Sequence, residues 1–247
     1  MRDNFKWPVM HLCERQLRDV NESDILNGGL YRRCNTYKGG GGYDKFPDIF
    51  IKRTGKNGAF NEQFVVQLKG CPLRCPYCYV TTDGVHTGKM SEISTDKLIE
   101  DFYASKLPVF HLMGGAPALY IDHWEEILEK LDENIIFHSD LLLLEGYYKE
   151  DTIKHLAKYK NALSAVSIKG STDEEFKKNT GVNFNEDMFW KNFDVVVDSN
   201  LPVYLTFTGM SADSVDRFKE KITRRYRSDE ILKDSFAIGL VEYDALK

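Results

Sequence analysis

The chain has no long hydrophobic run. Nothing in it approaches the roughly 18 consecutive apolar residues that a membrane span requires. Its first residues, Met1-Arg2-Asp3-Asn4-Phe5-Lys6, lack the apolar stretch of a secretory signal. There is no excess of positive charge either: 33 Lys and Arg stand against 38 Asp and Glu, a net charge of -5. A chain of that balance has no general attraction to nucleic acid or to an anionic membrane. Cysteine is scarce, five in 247 residues, and nothing suggests the oxidising compartment that disulfides need. These absences lead to the expectation of a cytoplasmic protein in reducing surroundings, with neither a membrane nor a nucleic acid as partner. The length suits one α/β domain.

Three of the five cysteines fall in one run, Gly70-Cys71-Pro72-Leu73-Arg74-Cys75-Pro76-Tyr77-Cys78-Tyr79, with the spacing C-x3-C-x2-C. The apolar segment Phe64-Val65-Val66-Gln67-Leu68 before it reads as a buried strand. The cysteines are thus expected on a loop at the C-terminal end of a strand, where α/β proteins place cofactors. Three thiolates there can hold a cubane iron–sulfur cluster and leave one iron open. A structural zinc site remains the alternative. It would need a fourth ligand from Cys13, Cys34 or one of the six histidines.

From residue 64 onward, apolar strands alternate with helices. Strands are predicted at 64–68, 109–113, 135–138, 165–168, 203–207 and 236–241. Between them, Ser94-Thr95-Asp96 opens a helix, and Asp122 with Glu125 reads as a capping box. Further helices are expected at 151–159, through Glu174-Glu175-Phe176 to a stop at Gly181, at 186–198 and at 213–226. Six such units imply a parallel sheet with right-handed crossovers, too few to close an eight-fold barrel. Residues 1–60 form a separate N-terminal extension that would cap the barrel. Its Gly39-Gly40-Gly41-Gly42 run lacks the Lys-Ser/Thr of a phosphate loop and reads as a flexible loop. The basic cluster Arg224-Arg225-Tyr226-Arg227 lies at a helix C-terminus, where the helix dipole accounts for it.

The cysteine run resembles the signature of the radical S-adenosylmethionine (SAM) superfamily, with Tyr77 as the aromatic before the third cysteine. The resemblance covers about residues 64–246 and implies an α/β fold, an open partial (β/α)6 barrel over 61–247. It implies a [4Fe–4S] cluster on Cys71, Cys75 and Cys78 and SAM as the second cofactor. The implied chemistry is reductive cleavage of SAM to a 5′-deoxyadenosyl radical, with flavodoxin or ferredoxin as electron donor. The radical would take hydrogen from a small molecule, a nucleoside or a peptide.

Further residues join the implied site. Met113-Gly114-Gly115-Ala116-Pro117 stands where the family has Gly-Gly-Glu-Pro, whose backbone takes the SAM amino group; here Ala116 replaces the glutamate. Val166-Ser167-Ile168-Lys169-Gly170 is similar to the Asp-Leu-Lys segment of the pyruvate formate-lyase activase-like branch, with Lys169 as the SAM-contacting lysine and Ser167 in place of the aspartate. Ser139 and Asp140 lie where that branch has polar SAM contacts. Tyr204, Thr206 and Thr208 alternate with apolar neighbours and would give a polar lumen face. Gly209 would let the backbone approach SAM, and Tyr243 would lie near the adenine. Two cysteines outside the triad cannot supply an all-cysteine second cluster, and the chain is too short for an added cobalamin domain. Two alternatives stay open: an activase that makes a glycyl radical in a partner enzyme, and a non-enzymatic iron–sulfur or zinc module.

Overall fold

The structure, a computed structural model, describes residues 4–35, 62–78, 80, 82–144 and 149–238. In chain order the elements begin with β1 (Lys6–Met10), α1 (Glu14–Asp19), β2 (Ile25–Leu26), β3 (Tyr31–Asn35) and β4 (Glu62–Leu68). There follow α2 (Thr82–Thr87), β5 (Met90–Ser94), α3 (Thr95–Ser105), β6 (Val109–Gly114), α4 (Trp124–Leu128) and β7 (Ile136–Leu141). The last are α5 (Glu150–Leu156), β8 (Ala162–Ile168), α6 (Asp173–Thr180), α7 (Glu186–Asp198), β9 (Val203–Thr208), α8 (Ala212–Tyr226) and β10 (Phe236–Ile238).

Strands β4 and β6 to β10 run parallel, in the order β10-β9-β8-β7-β6-β4. The sheet is open, an α/β partial barrel of six parallel strands. On the far edge of β4 lie two antiparallel neighbours, β1 and β3, and β5 pairs with β1. These edge strands were not predicted. Trp7 of β1 and Tyr31 of β3 are fully buried in the core that the parallel strands use. The Trp7 indole donates to Thr95 Oγ1 at 3.0 Å, and the Tyr31 hydroxyl donates to Asp101 at 3.0 Å.

Strand parity sorts the two faces of the sheet. Phe64, Val66 and Leu68 of β4, Phe110 and Leu112 of β6, Phe137 and Leu141 of β7, and Leu205 and Phe207 of β9 face the helices. Against them pack Leu98 and Phe102 of α3, Ile153 and Leu156 of α5, Phe189 and Phe193 of α7, and Phe218 and Ile222 of α8. Each such buried side chain stabilises the fold by roughly 1.5–3 kcal/mol. The other parity leaves Gln63, Gln67, His111, His138, Asp140, Tyr204, Thr206 and Thr208 on the inner face.

Helix starts follow their caps. Ser94, Thr172, Asn185 and Ser211 each accept a backbone N–H three residues on. Gly181 ends α6 in the left-handed conformation, φ 73°. The Asp122–Glu125 capping box does not form. Pro117–His123 is a 3-10 segment, and the Asp122 carboxylate accepts from Lys149 and Thr152 instead. Of the last predicted strand, Phe236–Ile238 is described and the rest lies outside the described residues.

Candidate active site at the mouth of the barrel

The loop after β4 carries Cys71, Cys75 and Cys78, all half-buried free thiols. It is pinned at several points. Arg74 N–H donates to Thr180 O at 2.7 Å, Cys78 N–H to Cys75 O at 3.1 Å, and Gly70 N–H to Val85 O at 3.0 Å. Leu73 N–H points at Cys71 Sγ, 3.4 Å away. A Cβ on Gly181 would lie 3.0 Å from Arg74 Cβ, so the glycine that caps α6 also lets the loop sit close. Leu73 anchors the loop in a small apolar cluster with Ala116, Leu142 and Phe176, against which Cys71 and Cys75 pack.

The end of β6 is stitched to this loop. Gly115 N–H donates to Leu68 O and Ala116 N–H to Gly70 O, each at 2.8 Å. A Cβ on Gly115 would stand 2.1 Å from Gly70 O, and one on Gly114 (φ 101°) 2.9 Å from Gln67 Cα. Only glycine fits this approach. The Ala116 side chain is buried in the apolar cluster, so it offers the site backbone only.

Lys169, just past β8, sends its ammonium to 5.6 Å from the centroid of the Tyr77 ring. Its charge also reaches Cys71 and Asp140. Burial pushes the Cys71 thiol up to about 11, with Cys75 and Cys78 adding to the rise and the Leu73 amide and Lys169 opposing it. Burial likewise pushes Asp140 up to about 6, against the pull of Lys169. Both groups would take their charged form once a cation lies beside them.

The remaining predicted residues divide. Thr208 is buried on the inner face, and Gly209 follows it with φ 72°. Asp140 shares that face with His138. Ser139 does not: it sits between them in parity, fully buried on the helix side, and its hydroxyl has no partner among the described residues. Its side chain is therefore corrected from the mouth to the core. Tyr243 lies outside the described residues.

Two features escaped the sequence reading. Asn179, buried on α6, donates through its side-chain amide to Lys169 O at 2.8 Å and to Gly209 O at 3.0 Å. It ties the ends of β8 and β9 together under the mouth, and no local pattern announces it. The other is a pair of buried imidazoles on the inner face. His111 and His138 are register partners on β6 and β7, with ring centroids 4.0 Å apart. A lone histidine at inner parity within each apolar strand was the available signal. Burial pushes His138 down to about 3. Burial, with His138 and Arg32 adding to it, holds His111 well below the usual imidazole range.

The donor set fits an iron–sulfur cluster better than a single ion. Among the described residues, only His111, His138 and Asp140 bring three ligand atoms within 4.8 Å of one another. The three thiols are half-buried together on one loop, the soft donor set that holds an iron–sulfur cluster. Cys34 cannot complete a zinc site with them: it pairs with Gln63, five residues from Leu68 along β4, or roughly 17 Å.

The sequence profile of the radical SAM superfamily matches residues 65–224, and the chain belongs to that superfamily. Its members are enzymes that use a [4Fe–4S] cluster and SAM. The structure of Streptococcus suis SuiB bound to precursor peptide SuiA is similar, at 16% identity and TM-score 0.52, over 66% of this chain and 36% of that one. Native anSMEcpe with bound SAM is similar at 18% identity and TM-score 0.52, over 70% and 49%. Its complex with SAM and the Cp18Cys peptide gives 17% and 0.51, over 70% and 48%. At these identities the likeness is one of fold, a partial TIM barrel. The chain spans about a third to a half of the length of these structures. A search of curated protein sequences finds no match. Among the described residues no helix is long and apolar enough to cross a membrane.

Proposed function

We propose that the chain is a radical SAM enzyme whose site is the cysteine loop and the strand ends facing it. The observation that carries this is the convergence of three thiols, the Gly114-Gly115 approach and the Lys169 ammonium on one mouth. When bound, the cluster and SAM supply reductive cleavage to methionine and a 5′-deoxyadenosyl radical, which takes a hydrogen atom from the substrate. The chain's own residues bind, orient and exclude water. Cys71, Cys75 and Cys78 would hold three irons and leave the fourth to SAM. Tyr77 would wall the cluster side beneath the Lys169 ammonium. Gly114, Gly115 and the Ala116 backbone would take the SAM amino group, and Lys169 its carboxylate. Asp140, Thr208 and Gly209 would line the inner side, and Tyr243 the adenine side.

The substrate would occupy the polar inner face below this mouth. A peptide is the favoured class, because two similar structures, with SuiB and anSMEcpe, hold peptides. A glycyl-radical activase is the second reading; the Lys169 segment, whose ammonium lies 5.6 Å from the centroid of the Tyr77 ring of the cysteine loop, favours it. Flavodoxin or ferredoxin would deliver the electron in a reducing cytoplasm. A non-enzymatic module gives way to membership in a superfamily of enzymes.

Anaerobic incubation of the reduced, reconstituted protein with SAM tests the proposal. Chromatography should show 5′-deoxyadenosine and methionine accumulating even without substrate. S-adenosylhomocysteine as the sole product would mean methyl transfer and overturn it.

A further inference from the structure

Below the mouth, the inner face of β6 and β7 carries a second set of ligand-bearing side chains. His111 and His138 oppose each other directly in register, and Asp140 stands two residues further along β7 on the same face. One ligand atom from each lies within 4.8 Å of the other two. His111 is only 6% exposed, and neither ring nitrogen has a hydrogen-bond partner among the described residues. A buried imidazole has one donor and one lone pair to satisfy, and leaving such groups unmet is costly. His138 Nε2 lies 2.9 Å from the Tyr204 hydroxyl. That contact orients the His138 ring, as outer partners do for metal-binding histidines.

We propose that His111, His138 and Asp140 together bind one divalent transition-metal ion, zinc or ferrous iron, separate from the cluster. Two imidazoles and one carboxylate suit such an ion and leave coordination positions open. The substrate is assigned above to the same inner face, and there the ion would hold a substrate carbonyl or carboxylate oxygen. Two positive groups oppose it: Arg32 of β3, whose charge reaches His111, and Lys169, whose charge reaches Asp140. Asp140 needs only one oxygen for the ion.

The site is tested on the full chain with its cluster loaded, so that the cysteines are occupied and cannot take up zinc. The protein is equilibrated anaerobically with zinc, desalted, and analysed for zinc and iron together. One zinc per chain should remain in addition to the cluster iron. His111→Gln and Asp140→Asn should each lower zinc affinity at least tenfold while iron content stays unchanged. Asp140→Asn is nearly isosteric, so it answers even where His111→Gln folds poorly. The inference rests on the proposed function for its cluster-loaded sample, and unaltered iron in the variants separates its failure from a failure of the cluster assignment. Zinc lost on desalting from the unaltered chain, or retained equally in both variants, would overturn the proposal.

Discussion

Replacing Gly115 by Ala should destabilise the protein by about 3 kcal/mol or more and strip it of SAM binding. The added Cβ would meet Gly70 O at 2.1 Å and Leu68 O at 2.7 Å. Both are backbone atoms at the root of the cysteine loop, so no side-chain rotation relieves the contact. The only escape is to part β6 from β4. That breaks the Gly115–Leu68 and Ala116–Gly70 hydrogen bonds and shifts Cys71. Gly28→Ala is the control. Gly28 also has positive φ, 64°, but an added Cβ there meets nothing within 4 Å. That variant should lose only the roughly 1–2 kcal/mol of left-handed strain. Urea midpoints of the two variants compare them directly, and similar losses would mean that the strand ends separate easily.

The second large effect is expected at Lys169. Its half-buried ammonium stands 5.6 Å from the centroid of the Tyr77 ring, and its charge reaches Asp140. A charge-assisted bond to the SAM carboxylate there is worth roughly 1.5–3 kcal/mol, about ten- to a hundred-fold in affinity. Lys169→Ala should weaken SAM binding by that factor in a titration, with iron content unchanged. Arg is not expected to restore it, because a planar fork does not replace a point charge. Unchanged affinity would assign the ammonium to Asp140 alone.

Much of this arrangement was legible in the chain. The six parallel strands announce themselves as short apolar runs, and α3, α6, α7 and α8 each begin at a side-chain cap. The cysteine spacing, the paired glycines after β6 and the lysine after β8 are local patterns, and local patterns survive without coordinates. What escaped depends on partners distant in sequence. β1 contains Pro8, which argues against a strand, yet it pairs with both β4 and β5, and the Pro8 carbonyl still accepts from the Lys69 N–H at 2.9 Å. β3 reads as polar, because only Tyr31 among its described side chains is buried in the core. The capping box at Asp122 failed because Lys149 and Thr152 offered that carboxylate other donors. Ser139 is different: alternation alone puts it opposite His138 and Asp140, so that placement was readable and was missed. The His111–His138 contact is set by strand register, which no single segment encodes.

The central claim is that the three cysteines hold an open iron–sulfur cluster. Iron analysis after anaerobic reconstitution addresses it most directly. The unaltered chain should bind about four irons, and so should a chain with Cys13→Ala and Cys34→Ala together. Cys75→Ala should reduce iron to background. A chain that takes up no cluster on reconstitution, or a Cys75→Ala variant that keeps its iron, would contradict the account.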